Sequence, residues 1–407
     1  MKRAILIALG LMLANGAYAG DWPQWLGPNR DGVSPEKVVP WKAAPTELWK
    51  KAAGEAHSSP VVADGKLYLH TKVEGKEAEA LTAYDIKTGT IAWEVTYPRE
   101  MFTTPFGNGP RATPSVVGEN IYTLGITGLL TCFATKDGSQ VWQVDTLKDF
   151  SAKNLTFGVS ASPLVIDGMV IVQVGGKGAG IVAFDAKTGK VVWKATDDPA
   201  SYAAPALRTI GGKPVVVVLT GRNLVGLNPA DGKVIWQQPF RDLLNESSTT
   251  PIVVGNTIFA SSVTAGSIGL KWDADEKKIE QVWKNPKLTC YFGTPIPFGK
   301  QDVLMVTGAL LPPVSATLRC VDATTGKEEW NHPKVGKYHA TLMGVADGQA
   351  LMLEEGGELV LIGNRADRYT ELARSKICGE TWAHPALVDG ILYLRDNKEV
   401  MALRLNR

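Results

Sequence analysis

A short sequence pattern recurs along this chain, and its clearest copy is AFDAKTGKVVW at residues 183–193. The β-branched and aromatic residues on both sides of its centre predict two strands joined by a tight turn. Asp185 can accept hydrogen bonds from the turn amides, and Gly189 can adopt the positive φ that the turn needs. The further copies are residues 83–93, 132–142, 226–236 and 320–330, with a degenerate copy at 271–283.

A second signature precedes each copy: a small residue, a proline, apolar residues and a glycine turn, as in Ser162-Pro163 followed by Gly168. Together the two signatures predict a four-stranded antiparallel unit, which is the blade of a β-propeller. The aromatic residues that close the copies, and their counterparts near Trp49 and Leu372, are spaced 42 to 51 residues apart, which gives eight slots. We interpret these Trp residues as packing between blades rather than as a site.

The two ends of the repeat array predict how the ring closes. Trp49 precedes the first complete unit, while the last unit, residues 385–405, has only three strands. Residues 47–50 are therefore expected to supply the missing outer strand and remove the open sheet edge. The sequence thus predicts an all-β protein, an eight-bladed propeller of four-stranded blades closed by an N-terminal strand.

The N-terminus predicts export. Lys2 and Arg3 precede an apolar stretch and an Ala-Tyr-Ala cleavage motif at residues 17–19, which is typical of a signal peptide and too short to span a membrane. We therefore divide the chain into a signal peptide (1–19), an irregular Trp- and Pro-rich arm (20–45) and one propeller domain (46–407). No cysteine lies near the cleavage site, so lipid attachment there is not expected. We therefore expect a periplasmic or secreted protein.

Charge and cysteine content restrict the partners. Without residues 1–19 the chain has 41 basic and 41 acidic residues, which gives no reason to expect binding of nucleic acid or an anionic membrane. Cys132 and Cys320 occupy the small-residue slot of the repeat and are expected to lie in the core. A disulfide involving these or Cys290 and Cys378 stays open, and no spacing resembles a zinc site.

Aligning the repeats with one another predicts a binding site. The residue three positions before each blade-opening proline, or before Leu342 in its place, should begin an innermost strand and face the mouth of the axial channel. Arg222 joins this ring from a central blade loop. The candidate residues are His57, Arg111, Ser160, Tyr202, Arg222, Ser248, Phe292, His339 and Trp382. Aromatic walls with a few charges suit a planar or anionic ligand, or a protein partner; alternatively, these residues only fill and solvate the channel end.

Catalytic motifs do not emerge. The chain has no nucleophile elbow, zinc-protease helix, phosphate loop or haem-attachment motif. His57 or His339 could serve as a general base, but no nucleophile or orienting carboxylate can be assigned beside either. We therefore assign no catalytic and no metal-binding residue.

The Ala-x-Asp-x-x-Thr-Gly-x-x-x-Trp copies resemble the repeats of the pyrroloquinoline quinone (PQQ) β-propeller superfamily, over nearly the whole chain after residue 19. The resemblance implies either of two branches: quinoprotein dehydrogenases, which use PQQ and calcium at the channel mouth, or cofactor-free scaffolds such as the lipoprotein of the outer-membrane β-barrel assembly machine. The chain lacks the adjacent Cys-Cys pair of the dehydrogenases and the lipid-anchoring cysteine of the lipoprotein. Its arm and GPRATP segment (109–114) look like a third, secreted group of mostly unassigned role.

Two functional hypotheses follow. The first is an exported, monomeric propeller that binds a ligand or protein partner at the mouth face and carries out no chemistry. The second is a reduced oxidoreductase acting on alcohols or sugars, with PQQ and Ca²⁺ as cofactors, in which Arg111 and Arg222 contact the PQQ carboxylates and Trp382 stacks on the quinone.

Overall fold

The protein is an eight-bladed β-propeller in a computed structural model that describes residues 20–273, 278–308 and 314–405. Each blade is one four-stranded antiparallel sheet, so the predicted fold and blade number are confirmed. The predicted signal peptide, residues 1–19, lies outside the described residues. The longest helix in the described part of the chain, Thr146–Asp149 (α1), is a single turn, so no helix there could cross a bilayer.

Blades 1 to 4 follow the chain from the innermost strand to the outermost. Their strands are β2 (Val61–Ala63), β3 (Lys66–Lys72), β4 (Ala78–Asp85) and β5 (Ile91–Pro98); β6 (Ser115–Val117), β7 (Asn120–Leu124), β8 (Leu129–Ala134) and β9 (Gln140–Asp145); β10 (Leu164–Ile166), β11 (Met169–Gly176), β12 (Ala179–Asp185) and β13 (Val191–Ala195); β14 (Ala206–Ile210), β15 (Lys213–Leu219), β16 (Asn223–Leu227) and β17 (Val234–Pro239).

Blades 5 to 8 repeat this order, and a 3₁₀ turn at Ala346–Gly348 lies within blade 7. Their strands are β18 (Ile252–Val254), β19 (Thr257–Ser262), β20 (Gly266–Asp273) and β21 (Lys278–Asn285); β22 (Ile296–Phe298), β23 (Asp302–Thr307), β24 (Thr317–Asp322) and β25 (Glu328–Pro333); β26 (Ala340–Gly344), β27 (Ala350–Glu354), β28 (Glu358–Ile362) and β29 (Glu371–Lys376); β30 (Ala386–Val388), β31 (Ile391–Arg395), β32 (Glu399–Arg404) and β1 (Thr46–Ala52).

The ring closes as the sequence predicts. Strand β1 pairs antiparallel with β32, with Trp49 opposite Ala402. The first strand of the propeller therefore completes the last blade, so the last sheet has no unpaired outer edge on β32.

At five of the junctions between neighbouring blades, the turn of one repeat contacts the tryptophan of the preceding blade. In blade 3, Asp185 Oδ1 accepts from the Thr188 amide at 2.8 Å and the Thr188 hydroxyl at 2.7 Å, and these bonds lower the pKa of Asp185. Gly189 has φ +70°, and a Cβ there would lie 2.8 Å from the Trp142 ring of blade 2. The Trp142 indole N–H donates to the Ala186 carbonyl of the same turn at 2.9 Å. The glycine is therefore needed both for the turn and for the neighbouring tryptophan.

Four further tryptophans make the same contact as Trp142, which gives five in all. Each donates its indole N–H to a carbonyl in the turn of the next blade: Trp49, Trp93, Trp193 and Trp283. Trp236 and Trp330 do not: both indole N–H groups are buried without a partner among the described residues. The turn that follows Trp236 belongs to the degenerate copy. The strand register places the start of that copy at Gly269 rather than Lys271. Residues 274–277 of this turn lie outside the described ranges. The turn that follows Trp330 lacks the Asp-Thr-Gly pattern.

A bulge positions these tryptophans. In each outer strand pair the register shifts by one residue immediately before the tryptophan slot. In blade 7 this places Ala373 in the slot, opposite Leu361, and makes the neighbouring Leu372 the bulge residue. The predicted small-residue slot is confirmed for Cys132 and Cys320, which lie opposite Trp142 and Trp330. All four cysteines are free, so no disulfide forms.

The N-terminal arm, residues 20–45, crosses the ring and contacts the innermost strand of every blade, or a residue flanking it. The contacted residues are Val62, Val116, Pro163, Arg208, Thr250, Ile296, Gly344 and Gly390. Arg30 is 2% exposed and donates to the carbonyls of Ser162 and Pro163 at 2.9 and 2.7 Å. Arg208 in turn donates to the Arg30 carbonyl at 2.7 Å. The arm is thus fixed across the channel by charge-assisted bonds to main-chain oxygens.

We expect Trp142→Phe to destabilise the fold more than Trp236→Phe. Both substitutions remove similar ring volume, but only the first breaks a hydrogen bond, while the second deletes an unpaired buried N–H group. The difference should be about 1 kcal/mol in the free energy of unfolding, measured by denaturant titration. Equal losses at the two positions would show that the indole hydrogen bond does not stabilise the contact between blades.

Candidate functional site

The predicted ring residues begin the innermost strands in a common register. Seven of them stand four positions before an inner strand, as His57 does before β2 and Trp382 does before β30. The eighth, His339, directly precedes β26 because that strand begins earlier relative to the repeat. The ring residues therefore lie at one end of the inner strands, whereas most arm contacts lie within or after those strands.

Seven of the nine predicted residues line one cup at the channel mouth. The space in and immediately above the cup, solvent at its open mouth included, is about 880 Å³. The predicted residues in its lining are His57, Arg111, Ser160, Tyr202, Ser248, Phe292 and Trp382.

Two predicted residues lie outside the lining. Arg222 lies in the loop between β15 and β16, where its guanidinium is 58% exposed and 3.8 Å from the carboxylate of Asp198. His339 is 1% exposed, and its ring centroid lies 6.3 Å from that of His384, which does line the cup.

Aromatic rings form a continuous wall. Trp382 is central, with ring centroids 5.0 Å from Phe292 and 5.2 Å from His57, both stacked. Phe106 continues the wall at 5.8 Å from Trp382, and Phe157 lies 5.5 Å beyond Phe106. Tyr202 and Tyr291 extend it at the two ends. Aromatic rings packed in this geometry stabilise one another, and they present faces and edges to a ligand.

Arg111 supports the loops around the mouth. Its Nε donates to the Phe157 carbonyl at 2.7 Å, and its Nη2 donates to the Phe106 and Gly107 carbonyls at 3.0 and 3.1 Å. Burial lowers its pKa to about 10, so it stays charged at neutral pH. These three hydrogen bonds thus fix two inter-blade loops. The remaining nitrogen, Nη1, donates to no carbonyl among the described residues.

Two further contacts orient the wall. The Nε2 of His57 lies 2.6 Å from the Phe106 carbonyl, to which it can donate. Burial, and secondarily the charge of Arg111, lowers the pKa of His57 to about 4, so the imidazole is neutral. The Trp382 indole donates to Glu355 Oε1 at 3.0 Å, and Glu355 is 6% exposed.

The floor of the cup consists of residues that the sequence analysis missed. Trp25 of the arm packs edge-on against His384 with centroids 4.6 Å apart, and its indole donates to Thr250 at 2.9 Å. The path of the arm depends on long-range contacts that local patterns do not reveal. His384 had a signal, because it stands directly before the blade-opening proline, where the other blades have Ser, Thr or Ala. The arm thus makes the channel mouth a blind cup.

The cup does not fit PQQ with calcium. Calcium needs six to eight oxygen ligands, whereas Glu246 is the carboxylate residue in the lining, and its Oε2 already accepts from the Tyr291 hydroxyl at 2.5 Å. Nowhere in residues 20–273, 278–308 and 314–405 do three His, Cys, Asp or Glu side chains cluster so as to hold a metal ion. Arg111 supplies only one free guanidinium edge for the three carboxylates of PQQ.

The chain is a β-propeller with an aromatic-walled cup at one end of its axis. The family model described as outer membrane protein assembly factor BamB matches residues 34–104 and 99–301. The chain belongs to this family, which confirms the resemblance to PQQ-like propellers.

Three known proteins illustrate the similarity. Outer membrane protein assembly factor BamB of Burkholderia pseudomallei is 26% identical over 336 residues, which cover 72% of this chain and 84% of the relative. The structure of BamB from Moraxella catarrhalis superposes with a TM-score of 0.60 at 16% identity, covering 89% of this chain and 98% of that one. Quinohemoprotein alcohol dehydrogenase from Comamonas testosteroni gives 0.65 at 15% identity, covering 96% and 81%. The two structures show the common fold.

We expect the protein to lose stability as the pH falls from 7 to 5.5. Burial lowers the pKa of His57 and His339 to about 4 and that of His384 to about 3, whereas an unfolded histidine titrates near about 6.5. Below that value the unfolded state binds more protons than the folded state, so the stability present above about pH 6.5 is lost, by up to about 1.4 kcal/mol per pH unit for each histidine.

Denaturant titration at several pH values checks this expectation. His384→Asn should reduce the pH slope of stability, whereas the control His332→Asn, on the outer strand β25, should not. A slope that is the same in the wild type and the His384 variant would contradict the assignment.

Proposed function

We propose that this protein is an exported, monomeric propeller that acts as a binding scaffold through its mouth face, with a planar group of a protein partner or small ligand seated in the aromatic cup. The observation that carries the proposal is the cup itself: its wall is aromatic and its floor is closed by Trp25 and His384. A site open at one end suits the capture of a group that enters from the mouth, not passage along the axis.

The loops around the cup support a protein partner. Met101 is 79% exposed and Leu243 is 77% exposed, and they lie in the two inter-blade loops 97–111 and 240–248. The same loops supply Phe106 and Glu246 to the cup. Exposed apolar side chains beside a concave aromatic site are typical of an interaction surface, and related proteins of this family are named as outer membrane assembly factors.

The proposal includes the domain division and the destination of the chain. A cleaved signal peptide (1–19) would leave the arm (20–45) and the propeller (46–407), and Thr46 is the first residue of the strand that closes the ring. Export would place the mouth face in the periplasm or outside the cell.

The oxidoreductase hypothesis receives less support. The relatives that resemble the chain in fold include alcohol dehydrogenases, but fold similarity does not transfer an activity. The carboxylates that calcium requires are not in the cup lining, and Arg222 points to Asp198 rather than into the cup.

We expect a planar, anionic aromatic probe, anilinonaphthalene sulfonate, to bind the cup with an increase in fluorescence. Trp382→Ala should weaken binding at least about tenfold, because it removes the ring that contacts His57, Phe106 and Phe292. The control is Trp272→Ala, in strand β20, where the ring lines a separate groove; this change should leave the affinity unchanged. Loss of binding in the control alone would place the site elsewhere.

We expect no calcium-dependent uptake of PQQ and no dye reduction with alcohols or sugars after PQQ and Ca²⁺ are added to the purified protein. The measurement is the absorbance of bound quinone after gel filtration, together with the rate of dye reduction. Stoichiometric uptake with alcohol-dependent reduction would replace the scaffold proposal by the oxidoreductase.

A further inference from the structure

Several buried polar atoms of blades 7 and 8 near the channel lack hydrogen-bond partners among the described residues. They are both ring nitrogens of His339, the hydroxyl of Thr341 and Nε2 of His384. The three residues are 1%, 1% and 4% exposed, and the two imidazole centroids lie 6.3 Å apart. The backbone of Trp382 lies close enough to the His339 ring to influence its pKa, but the contact does not have the geometry of a hydrogen bond. Unpaired buried polar atoms are uncommon and destabilise a fold unless something bonds them.

Four of the other six blades use a hydroxyl at one repeat position to bond the preceding blade, whereas blade 4 has Ala204 there and Thr250 of blade 5 accepts from the Trp25 indole instead. In blades 1, 2, 3 and 6 the hydroxyl directly before the blade-opening proline accepts a backbone N–H from the preceding blade, at 2.9 to 3.2 Å; these hydroxyls belong to Ser59, Thr113, Ser162 and Thr294. Thr341 occupies the same position in blade 7 without such a bond, and blade 8 has His384 instead of a small residue. These two blades therefore present hydrogen-bonding atoms that the ring does not use.

The cluster borders the cup through His384, which lies in the cup floor beside Trp25. His339 lies behind it, with the two ring centroids 6.3 Å apart. On the blade 6 side, a Cβ at Gly293 would lie 3.7 Å from His339 Nδ1, so the glycine leaves room for one further atom at van der Waals distance from that nitrogen. A group in the cup therefore meets His384 first.

The cluster favours an uncharged group. Burial keeps both imidazoles neutral at pH 7, so His339 offers one donor and one acceptor, and Nε2 of His384 offers one or the other according to its tautomer. The oxygens of nearby Glu355 accept from the Trp382 indole and from the Lys337 and Tyr338 amides, and burial outweighs the Glu355 charge in setting the pKa of His339. A hydroxyl can donate to one imidazole and accept from another group without carrying charge.

We infer that the cup continues inward into a polar subsite, formed by His339, Thr341 and His384, that receives the hydroxyl of a phenol whose aromatic ring lies in the cup. The inference rests on the proposed function of the cup. The phenol could belong to a small molecule or to a tyrosine side chain of a protein partner, since the chemistry presented to the subsite is the same.

Paired probes test the subsite separately from the cup. Toluene reports on the aromatic wall alone, and p-cresol adds one hydroxyl. Isothermal titration calorimetry should show p-cresol binding about tenfold more tightly than toluene. Equal affinities would overturn the subsite and leave the cup intact, whereas binding of neither probe would overturn the cup and the subsite together. An N-acetyltyrosine amide and a tyrosine-containing peptide then distinguish a free ligand from a partner's side chain.

Substitutions test which residues cause the preference for p-cresol over toluene. His384→Phe keeps a ring at the floor, and Thr341→Val keeps the shape; each should reduce the p-cresol preference to about threefold or less while toluene still binds. The matched control is Thr123→Val in strand β7 of blade 2, another buried hydroxyl without a partner in the described part of the chain, and it should keep the full preference. Equal preference in all variants would overturn the inference, as would tight binding of Zn²⁺ alone that His384→Phe removes.

Discussion

The structure depends on the contact between a tryptophan of one blade and the glycine turn of the next. Gly189 combines a positive φ, required by its own hairpin, with the close approach of Trp142 from the neighbouring blade. A single sequence pattern therefore specifies both the strand–turn–strand unit and the surface against which the next unit packs. Because the interface is encoded in the repeat, copying the unit also copies the means of joining it, and the ring ends only when β1 completes the last blade.

This rigid ring determines where chemical variety can lie. The blade interiors are filled with aliphatic side chains and a few buried aromatic rings, such as Phe133 and Phe184, and the tryptophan slots leave little freedom for substitution. The residues just before the inner strands lack this constraint, yet the common register brings them together at one end of the axis. His57, Phe292 and Trp382, from three different blades, stack into one wall for that reason.

Local patterns predicted the fold and most of the mouth, because both depend on register within a repeat. Prediction failed where a repeat departs from its pattern. Blade 7 has Leu342 instead of proline, its inner strand begins directly after His339, and that residue becomes buried. Arg222 lies in a loop where Asp198 offers a nearer partner. Trp25 could not be placed, because it reaches the cup through contacts of the arm with distant blades.

The arm links the integrity of the ring to the existence of the cup. It touches all eight blades, and Arg30 and Arg208 fix it through bonds to main-chain carbonyls of blade 3 and of the arm itself. An arm that requires the inner strands of every blade can dock fully only after those blades are in place. Trp25 then becomes the floor of a site whose wall also comes from separate blades. A group bound in the cup therefore contacts a surface that only the closed propeller possesses, and such binding would stabilise the complete ring over any open form.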